Sequence, residues 1–180
     1  MAMKIYDPKK ILIPVDFSEF TLGVLRAAVE IAEKWDAEAL VLHVGKESDH
    51  APSVPGGYTS YEGYTGRAAA FPGRSRLLED ARLQLESQLR GIMRQAAAGP
   101  KVRSEVVWGE PLKEILRTAG AGDYDLIIMA THGRQGLSRF LLGSVTEQVI
   151  RRAPCPVLAV RAKVAEERLV VAELGQESTN

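Results

Sequence analysis

The segment MATHGRQGLSRFLLGSV, residues 129–145, places glycines and two arginines between an apolar run and a helical pattern. Glycine lets a backbone approach a ligand without an intervening Cβ, and Gly143-Ser144 stands where a helix is predicted to begin. The first N–H groups of a helix lack intrahelical partners and favour an exposed anion by roughly 0.3 to 1 kcal/mol. Arg134 and Arg139 add positive charge. This pattern predicts a phosphate-binding loop.

The same residues also allow a purely structural interpretation. Ser144 and Glu147 match the S-x-x-E capping box, in which the two side chains satisfy the helix's own first N–H groups. The segment contains neither G-x-x-x-x-G-K-[ST] nor G-x-G-x-x-G, so neither of these phosphate-binding motifs decides the matter. Spacing alone leaves phosphate binding and a structural cap both open.

Short apolar runs predict five strands, each buried on both faces of a parallel sheet. They cover residues 10–15, 39–44, 102–108, 125–130 and 156–161. Because helical patterns separate the runs, right-handed crossovers and a doubly wound α/β fold are expected. The strand order that requires a single central reversal is 3-2-1-4-5. We therefore predict an open, Rossmann-like, five-stranded parallel sheet with helices on both faces.

Helices are predicted between these strands from apolar spacing and end signals. The first predicted helix follows Ser18, a suitable N-cap residue, and ends near Trp35. The second has its apolar positions over 77–93 and ends near Gly99, and the remaining two cover 111–119 and 144–152. Residues 45–75 are rich in Gly, Pro, Ser and Tyr and predict a long flexible loop. The domain is expected to span 1–162, followed by a tail over 163–180 of undecided structure.

The predicted strand order also predicts where a ligand binds. Ligands of open parallel sheets occupy the crevice beyond the carboxyl ends of the strands, where the strand order reverses. Strands 1 and 4 lie side by side at this point. Asp16 follows strand 1 and the glycine segment follows strand 4. Two distant parts of the sequence are therefore expected to meet at one crevice, although Asp16 also suits a simple turn at a helix start.

The overall composition argues against several classes of partner. Lys plus Arg and Asp plus Glu number 23 each, so no net field attracts nucleic acid or an anionic membrane. No apolar run approaches the roughly 20 residues of a membrane-spanning helix. The one cysteine, Cys155, and the absence of a signal-type leader predict a soluble protein of a reducing compartment, the cytoplasm.

Three stretches in this order closely resemble the universal stress protein family. They are ILIPVDFSE, LHV and MATHGRQGLSRFLLGSVTEQVIRRAPCPVLAVR, and the resemblance runs from about Lys10 to Arg161. It implies a 3-2-1-4-5 sheet and a homodimer formed through the fifth strand, here PVLAVR at 156–161. The family contains members that bind ATP, through the pattern G-x2-G-x9-G-[ST], and members that do not.

That pattern falls on Ala130, Gly133, Gly143 and Ser144, with alanine at the first glycine position and every spacing kept. Because Ala130 ends a strand, where the backbone needs no glycine, one methyl is expected to crowd the nucleotide modestly. The resemblance implies Asp16 at the ribose and the backbone around Val44 at the adenine. It further implies that the phosphates are bound by residues of the glycine segment and the helix start, namely Gly133, Gly143, Ser144, Val145 and Thr146. The base and sugar pocket is implied to be lined by Pro14, Val15 and Met129.

His43 and His132 are interpreted as core or loop residues, because no nucleophile and carboxylate set is evidently paired with either. Cys155, between two prolines, is interpreted as a buried structural thiol. Three tyrosines recur at every third residue and are interpreted as part of a disordered loop, with a lid stacked over a bound base as the alternative: Tyr58, Tyr61 and Tyr64. No catalytic residue and no protein metal ligand is assigned.

Three functions remain open from the sequence. The first is a stress-response regulatory dimer that binds ATP, AMP or ADP, with Mg²⁺ as a further candidate ligand, and whose state is read by protein partners. The second is a slow ATPase, for which the loop supplies no P-loop lysine and no carboxylate pair beyond Asp16. The third is a nucleotide-free dimerisation module in which Ala130 marks a degenerate site.

Overall fold

The computed structural model describes residues 6–50, 74–131 and 143–161. In these ranges the strands are β1 (Lys10–Val15), β2 (Glu38–Gly45), β3 (Val102–Trp108), β4 (Leu126–Ala130) and β5 (Val157–Val160). The helices are α1 (Thr21–Lys34), α2 (Glu47–His50), α3 (Arg74–Gln95), α4 (Pro111–Ala121) and α5 (Ser144–Arg152). The predicted tail from 163 and residues 51–73 of the predicted loop, with its three tyrosines, lie outside the described residues.

The sheet is parallel throughout the described chain and has the order β3-β2-β1-β4-β5. The predicted fold class and strand order are therefore confirmed. The central strands are apolar without alternation because both faces of the sheet are covered. One core cluster, which includes Ile13 and Ile128, packs under α1 and α3, and the other, which includes Leu12 and Ile127, packs under α4 and α5.

The sheet opens between β1 and β4 toward their carboxyl ends. Six residues of β1 are in register with β2, from Lys10 to Val15. Within the described chain, β1 and β4 are in register only at Ile11 with Leu126 and at Leu12 with Ile127. Pro14 lies in the stretch where this pairing has stopped, and proline has no backbone N–H to donate to a neighbouring strand. The strand reversal therefore coincides with the end of the ladder between β1 and β4, and the region between the two strands beyond Leu12 and Ile127 is called the gap.

Two local predictions need correction. Ser18 is not the N-cap of α1: the N-cap is Phe20, and Ser18 instead accepts a hydrogen bond from Thr21 N through its carbonyl, at 3.0 Å. The chain turns once more after β1 before it becomes helical. The predicted loop over 45–75 also contains α2, a single helical turn whose His50 ring contacts Trp108 with ring centroids 5.3 Å apart. That tertiary contact is invisible to local periodicity.

No helix among the described residues has the length and apolar character needed to cross a bilayer.

Candidate functional site

The turn after β1 is held by the carboxylate of Asp16. Its Oδ1 accepts a hydrogen bond from Ser18 N at 3.0 Å and one from Thr21 Oγ1 at 3.5 Å. Phe17 adopts a left-handed conformation with φ of 58°, which is uncommon for a bulky residue. Asp16 therefore does stabilise the turn before α1, as its sequence position allows.

The end of β2 contributes His43, which is 6% exposed. Its Nδ1 lies 2.9 Å from the carbonyl oxygen of Val15. Because a carbonyl only accepts, Nδ1 must carry the proton of this bond. The histidine is thus a packed structural residue, as the sequence interpretation holds. The next residue, Val44, packs on the other face, against the cluster under α4 and α5.

The end of β4 and the start of α5 are tied together by two hydrogen bonds. Gly143 N donates to Thr131 O at 2.7 Å, and Thr146 Oγ1 donates to Ala130 O at 2.8 Å. Thr131 N in turn donates to Val160 O on β5 at 3.0 Å. The two ends of the glycine segment are therefore adjacent, and the start of α5 is fixed at the edge of the gap between β1 and β4.

The capping box that the sequence allows for Ser144 and Glu147 is not formed. Gly143 is the N-cap, with φ of −58° and ψ of 140°, and no side chain of the described residues caps α5. Ser144 is thereby one position too far into the helix, and the carboxylate of Glu147 accepts a hydrogen bond from Arg151 Nη2 at 2.8 Å instead. The first intrahelical bond runs from Glu147 N to Gly143 O, so the amides of Ser144, Val145 and Thr146 precede the helical ladder.

Most of the predicted binding residues surround this gap. Pro14, Val15 and Asp16 stand at the end of β1, and Val44 at the end of β2. Met129 and Ala130 end β4, while Gly143, Ser144, Val145 and Thr146 begin α5. Gly133 lies outside the described residues, as do His132, Arg134 and Arg139. The hydroxyl of Thr146 is used to anchor α5, so only its backbone N–H can face an anion.

The methyl of Ala130 is accommodated by the protein's own interior. It packs against the core cluster under α1 and α3, together with Val15 and Phe17. Met129, 5% exposed, packs on the opposite face. The substitution of alanine for the first glycine of the pattern therefore adds a methyl to a packed surface.

Two other features lie away from this gap. A cavity of about 220 Å³ opens at the amino-terminal edge of the sheet, with a polar lining of Lys10, Glu38, Ala39, Arg103, Gly122 and Tyr124. Burial, followed by the negative charge of Asp125, raises the pKa of the Cys155 thiol. A raised pKa favours the unreactive thiol over the thiolate, in agreement with the structural interpretation of Cys155. Among the described residues, no cluster of three or more His, Cys, Asp or Glu side chains is arranged to hold a metal ion.

The sequence comparisons agree with this architecture. The profile described as the universal stress protein family matches residues 8–161. The chain belongs to the universal stress protein family. It is 36% identical over 156 residues to universal stress protein MJ0531 of Methanocaldococcus jannaschii, which covers 85% of this chain and 82% of that protein.

Solved structures of the family share the fold. Universal stress protein UspA from Lactobacillus plantarum is 28% identical and superposes with a TM-score of 0.65, covering 85% of this chain and 97% of that one. A universal stress protein solved in complex with cAMP is 23% identical, with a TM-score of 0.60 and coverage of 86% and 97%. At this identity the second likeness shows a common fold.

Sequence reasoning missed two parts of the site. One is the use of the Thr146 hydroxyl as an anchor to Ala130 O, for which the spacing of 16 residues gives no local signal. The other is the packing of the His43 ring on Phe17, whose ring centroids are 4.1 Å apart. The LHV triplet marked the end of the strand, but nothing in it predicted that the turn after β1 would fold back on the imidazole.

Proposed function

We propose that this universal stress protein binds ATP in the gap between β1 and β4 and acts as a regulatory homodimer whose nucleotide-dependent state is read by protein partners. AMP and ADP are the competing nucleotides. Mg²⁺ would arrive with the triphosphate, because Mg²⁺ is usually held through substrate phosphates and few protein carboxylates. We place the protein in the cytoplasm, because its one cysteine, Cys155, suits a reducing compartment.

The observation that carries the proposal is the start of α5. Gly143 occupies the N-cap and no described side chain caps the helix. Three successive amides therefore point out of the helix beside the gap, where the helix dipole favours negative charge. Phosphate groups are typical ligands of such a helix start. The two anchoring bonds to Ala130 O and Thr131 O keep these amides in place before any ligand arrives.

A second feature supports a nucleotide over a simple anion. The carboxylate of Asp16 directly follows β1, which neighbours β4 in the sheet, and a carboxylate is chemically suited to accept hydrogen bonds from the hydroxyls of a ribose. The family resemblance implies the same role for Asp16. The fold also holds an adenine nucleotide in the solved relative with cAMP. Since the Ala130 methyl packs against the core under α1 and α3, the missing first glycine does not block the gap from that side.

The direct test is nucleotide release and rebinding. Heating the purified protein and separating the supernatant by chromatography should reveal a co-purifying adenine nucleotide, and calorimetric titration should detect ATP binding. Asp16→Asn keeps an acceptor for Ser18 N but removes the charge and one acceptor, so we expect about tenfold weaker binding. Asp80→Ala, which removes an exposed carboxylate on α3, is the matched control and should bind like the wild type.

The alternatives have distinct outcomes in the same experiment. If no nucleotide is released and millimolar ATP produces no heat, the proposal is wrong and the nucleotide-free dimerisation module takes its place. A time course of ADP formation, with and without Mg²⁺, separates the slow ATPase from a binding protein. We expect no ADP to form on the timescale on which ATP binds and dissociates.

We further propose that dimers form through β5. This strand lies at the edge of the sheet, and Leu158 on it is 39% exposed. An apolar sheet edge invites pairing with a second chain, and a two-fold axis is the commonest symmetry of soluble homo-oligomers.

Replacement of Leu158 by Glu is expected to weaken the dimer by about a hundredfold or more, because two like charges would approach across the symmetry axis. Light scattering coupled to gel filtration should then report half the wild-type mass. The control is Leu83→Glu, at a leucine on α3 that is 52% exposed and far from β5. A dimer that survives the Leu158 substitution would place the interface elsewhere.

A further inference from the structure

His43 and Phe17 form a contact that the proposed ATP site does not use directly. The imidazole and the phenyl ring lie with centroids 4.1 Å apart and planes inclined by 40°. His43 is also the last residue of β2 in register with β1, opposite Val15. The imidazole therefore stands where the ladder between the two strands ends and the chain turns toward Asp16.

The hydrogen bond to Val15 O completes this arrangement. At 2.9 Å, Nδ1–H donates to the last carbonyl of β1. The bond requires a proton on Nδ1 and satisfies a carbonyl at the end of the strand, where leaving a buried carbonyl without a donor would be costly. The side chain of His43 thus holds the backbone immediately before Asp16, and its ring packs on the residue immediately after.

The conformation of Phe17 gives the contact a further consequence. A φ of 58° is unfavourable for a residue with a Cβ and persists only when the surroundings impose it. The ring of His43 and the core cluster under α1 and α3 are the surroundings that Phe17 packs against. Unusual backbone angles of this kind concentrate at ligand sites and switch regions.

We propose that His43 is a positioning residue of the nucleotide site: by bonding Val15 O and packing on Phe17, it fixes the turn that presents the Asp16 carboxylate to the gap. The imidazole itself does not contact the ligand. The identity of the ligand rests on the proposed ATP function, whereas the positioning of the turn rests on the contacts of His43.

The test is a cycle of four proteins: wild type, His43→Phe, Asp16→Asn and the double variant. His43→Phe keeps an aromatic ring but removes the donor to Val15 O. We expect about tenfold weaker ATP binding in each single variant and no further loss in the double variant, because residues that act through one another are not additive. Effects that multiply to about a hundredfold would show that His43 acts independently of Asp16 and would overturn the proposal.

A conservative replacement provides the rescue. His43→Asn places an amide N–H near the position of Nδ1–H but lacks the ring that packs on Phe17, so its ATP affinity should lie between those of the wild type and His43→Phe; an affinity no better than that of His43→Phe would show that the bond to Val15 O does not contribute. If His43→Phe does not fold, Phe17→Gly tests the same contact from its other side, since glycine adopts a positive φ without strain. We expect weaker ATP binding in this variant as well, and unchanged affinity would overturn the proposal.

Hydrogen exchange separates this inference from the ATP proposal. The Ser18 amide donates to Asp16 Oδ1, whereas the Ala153 amide donates to Val149 O at the far end of α5. We expect His43→Phe to accelerate exchange at Ser18 and to leave Ala153 unchanged, because the turn loosens locally. Equal acceleration at both amides would mean a general loss of stability and would overturn the positioning role. If the wild type binds no ATP, the ATP proposal fails while the exchange result still decides the role of His43.

Discussion

Replacing Gly143 by Val is expected to weaken ATP binding by about a hundredfold, which corresponds to the loss of two hydrogen bonds to a charged group. Gly143 has φ of −58° and ψ of 140°, angles that residues with a Cβ adopt readily. The substitution should therefore not strain the backbone. The branched side chain would instead stand beside the amides at the start of α5, where the phosphates are proposed to bind. Calorimetric titration with ATP measures the effect.

The control for this variant is another glycine in a helix. A Cβ placed at Gly120, on α4, meets nothing within 4 Å. Gly120→Val should thus bind ATP with wild-type affinity, and both variants should show the cooperative unfolding of the parent protein. Equal affinity of the Gly143 variant and the wild type would mean that the start of α5 is not the phosphate site.

Truncating Leu12 to Ala is expected to lower the free energy of unfolding by about 2 to 5 kcal/mol. Leu12 is fully buried on the central strand, in the cluster under α4 and α5. It is also the last residue of β1 in register with β4, so the cavity would form directly below the gap. Urea unfolding followed by far-UV circular dichroism measures the change, with the midpoint and the slope both recorded.

The same truncation at an exposed leucine is the control. Leu83 on α3 is 52% exposed, so Leu83→Ala should change the free energy of unfolding by about 0.5 kcal/mol or less. Similar losses in the two variants would contradict the assignment of β1 to the centre of the sheet. An unchanged free energy of unfolding in Leu12→Ala would do the same, since this truncation removes three buried side-chain heavy atoms, and their packing contacts, from a central strand.

Binding to the native state would add to this stability. A ligand present at a hundred times its dissociation constant stabilises a protein by about 2.7 kcal/mol. The start of α5 and the turn after β1 belong to different segments of the chain, and ATP that contacts both would oppose opening of the gap between β1 and β4. This is a physical route by which nucleotide occupancy can change what a partner protein encounters.

The elements that could be predicted best are those with strong local signals. The strand at 10–15, the strand at 102–108 and the helix at 144–152 have the bounds that the structure gives to β1, β3 and α5. In each, a short apolar run or an amphipathic repeat ends at a turn residue. The strand order followed because alternating strands and helices allow few arrangements of right-handed crossovers.

The prediction that failed concerned the start of α1, and an alternative left open by the sequence was decided at the start of α5. Ser18 is a suitable cap by type, yet Phe20 occupies the N-cap position of α1. α5 begins at Ser144 as predicted, with Gly143 as its N-cap, so the capping box that Ser144 and Glu147 allow is not formed. At the first site the carboxylate of Asp16 bonds Ser18 N and prolongs the turn. At the second, Gly143 is held to Thr131 O, which starts the helix one residue after the glycine. The first is a contact within one turn and the second joins two segments, and neither is encoded by the residue type at the cap position alone.

The amino-acid sequence by itself determined the parallel sheet, its order and the two stretches that meet at its centre, because apolar patterning and chain connectivity act along the chain. Only the tertiary structure decided that Ser144 and Glu147 do not cap α5, that the Thr146 hydroxyl bonds Ala130 O, and that His43 bonds Val15 O. The last two are hydrogen bonds between residues distant in the chain, and their geometry exists only once the strands have been brought side by side.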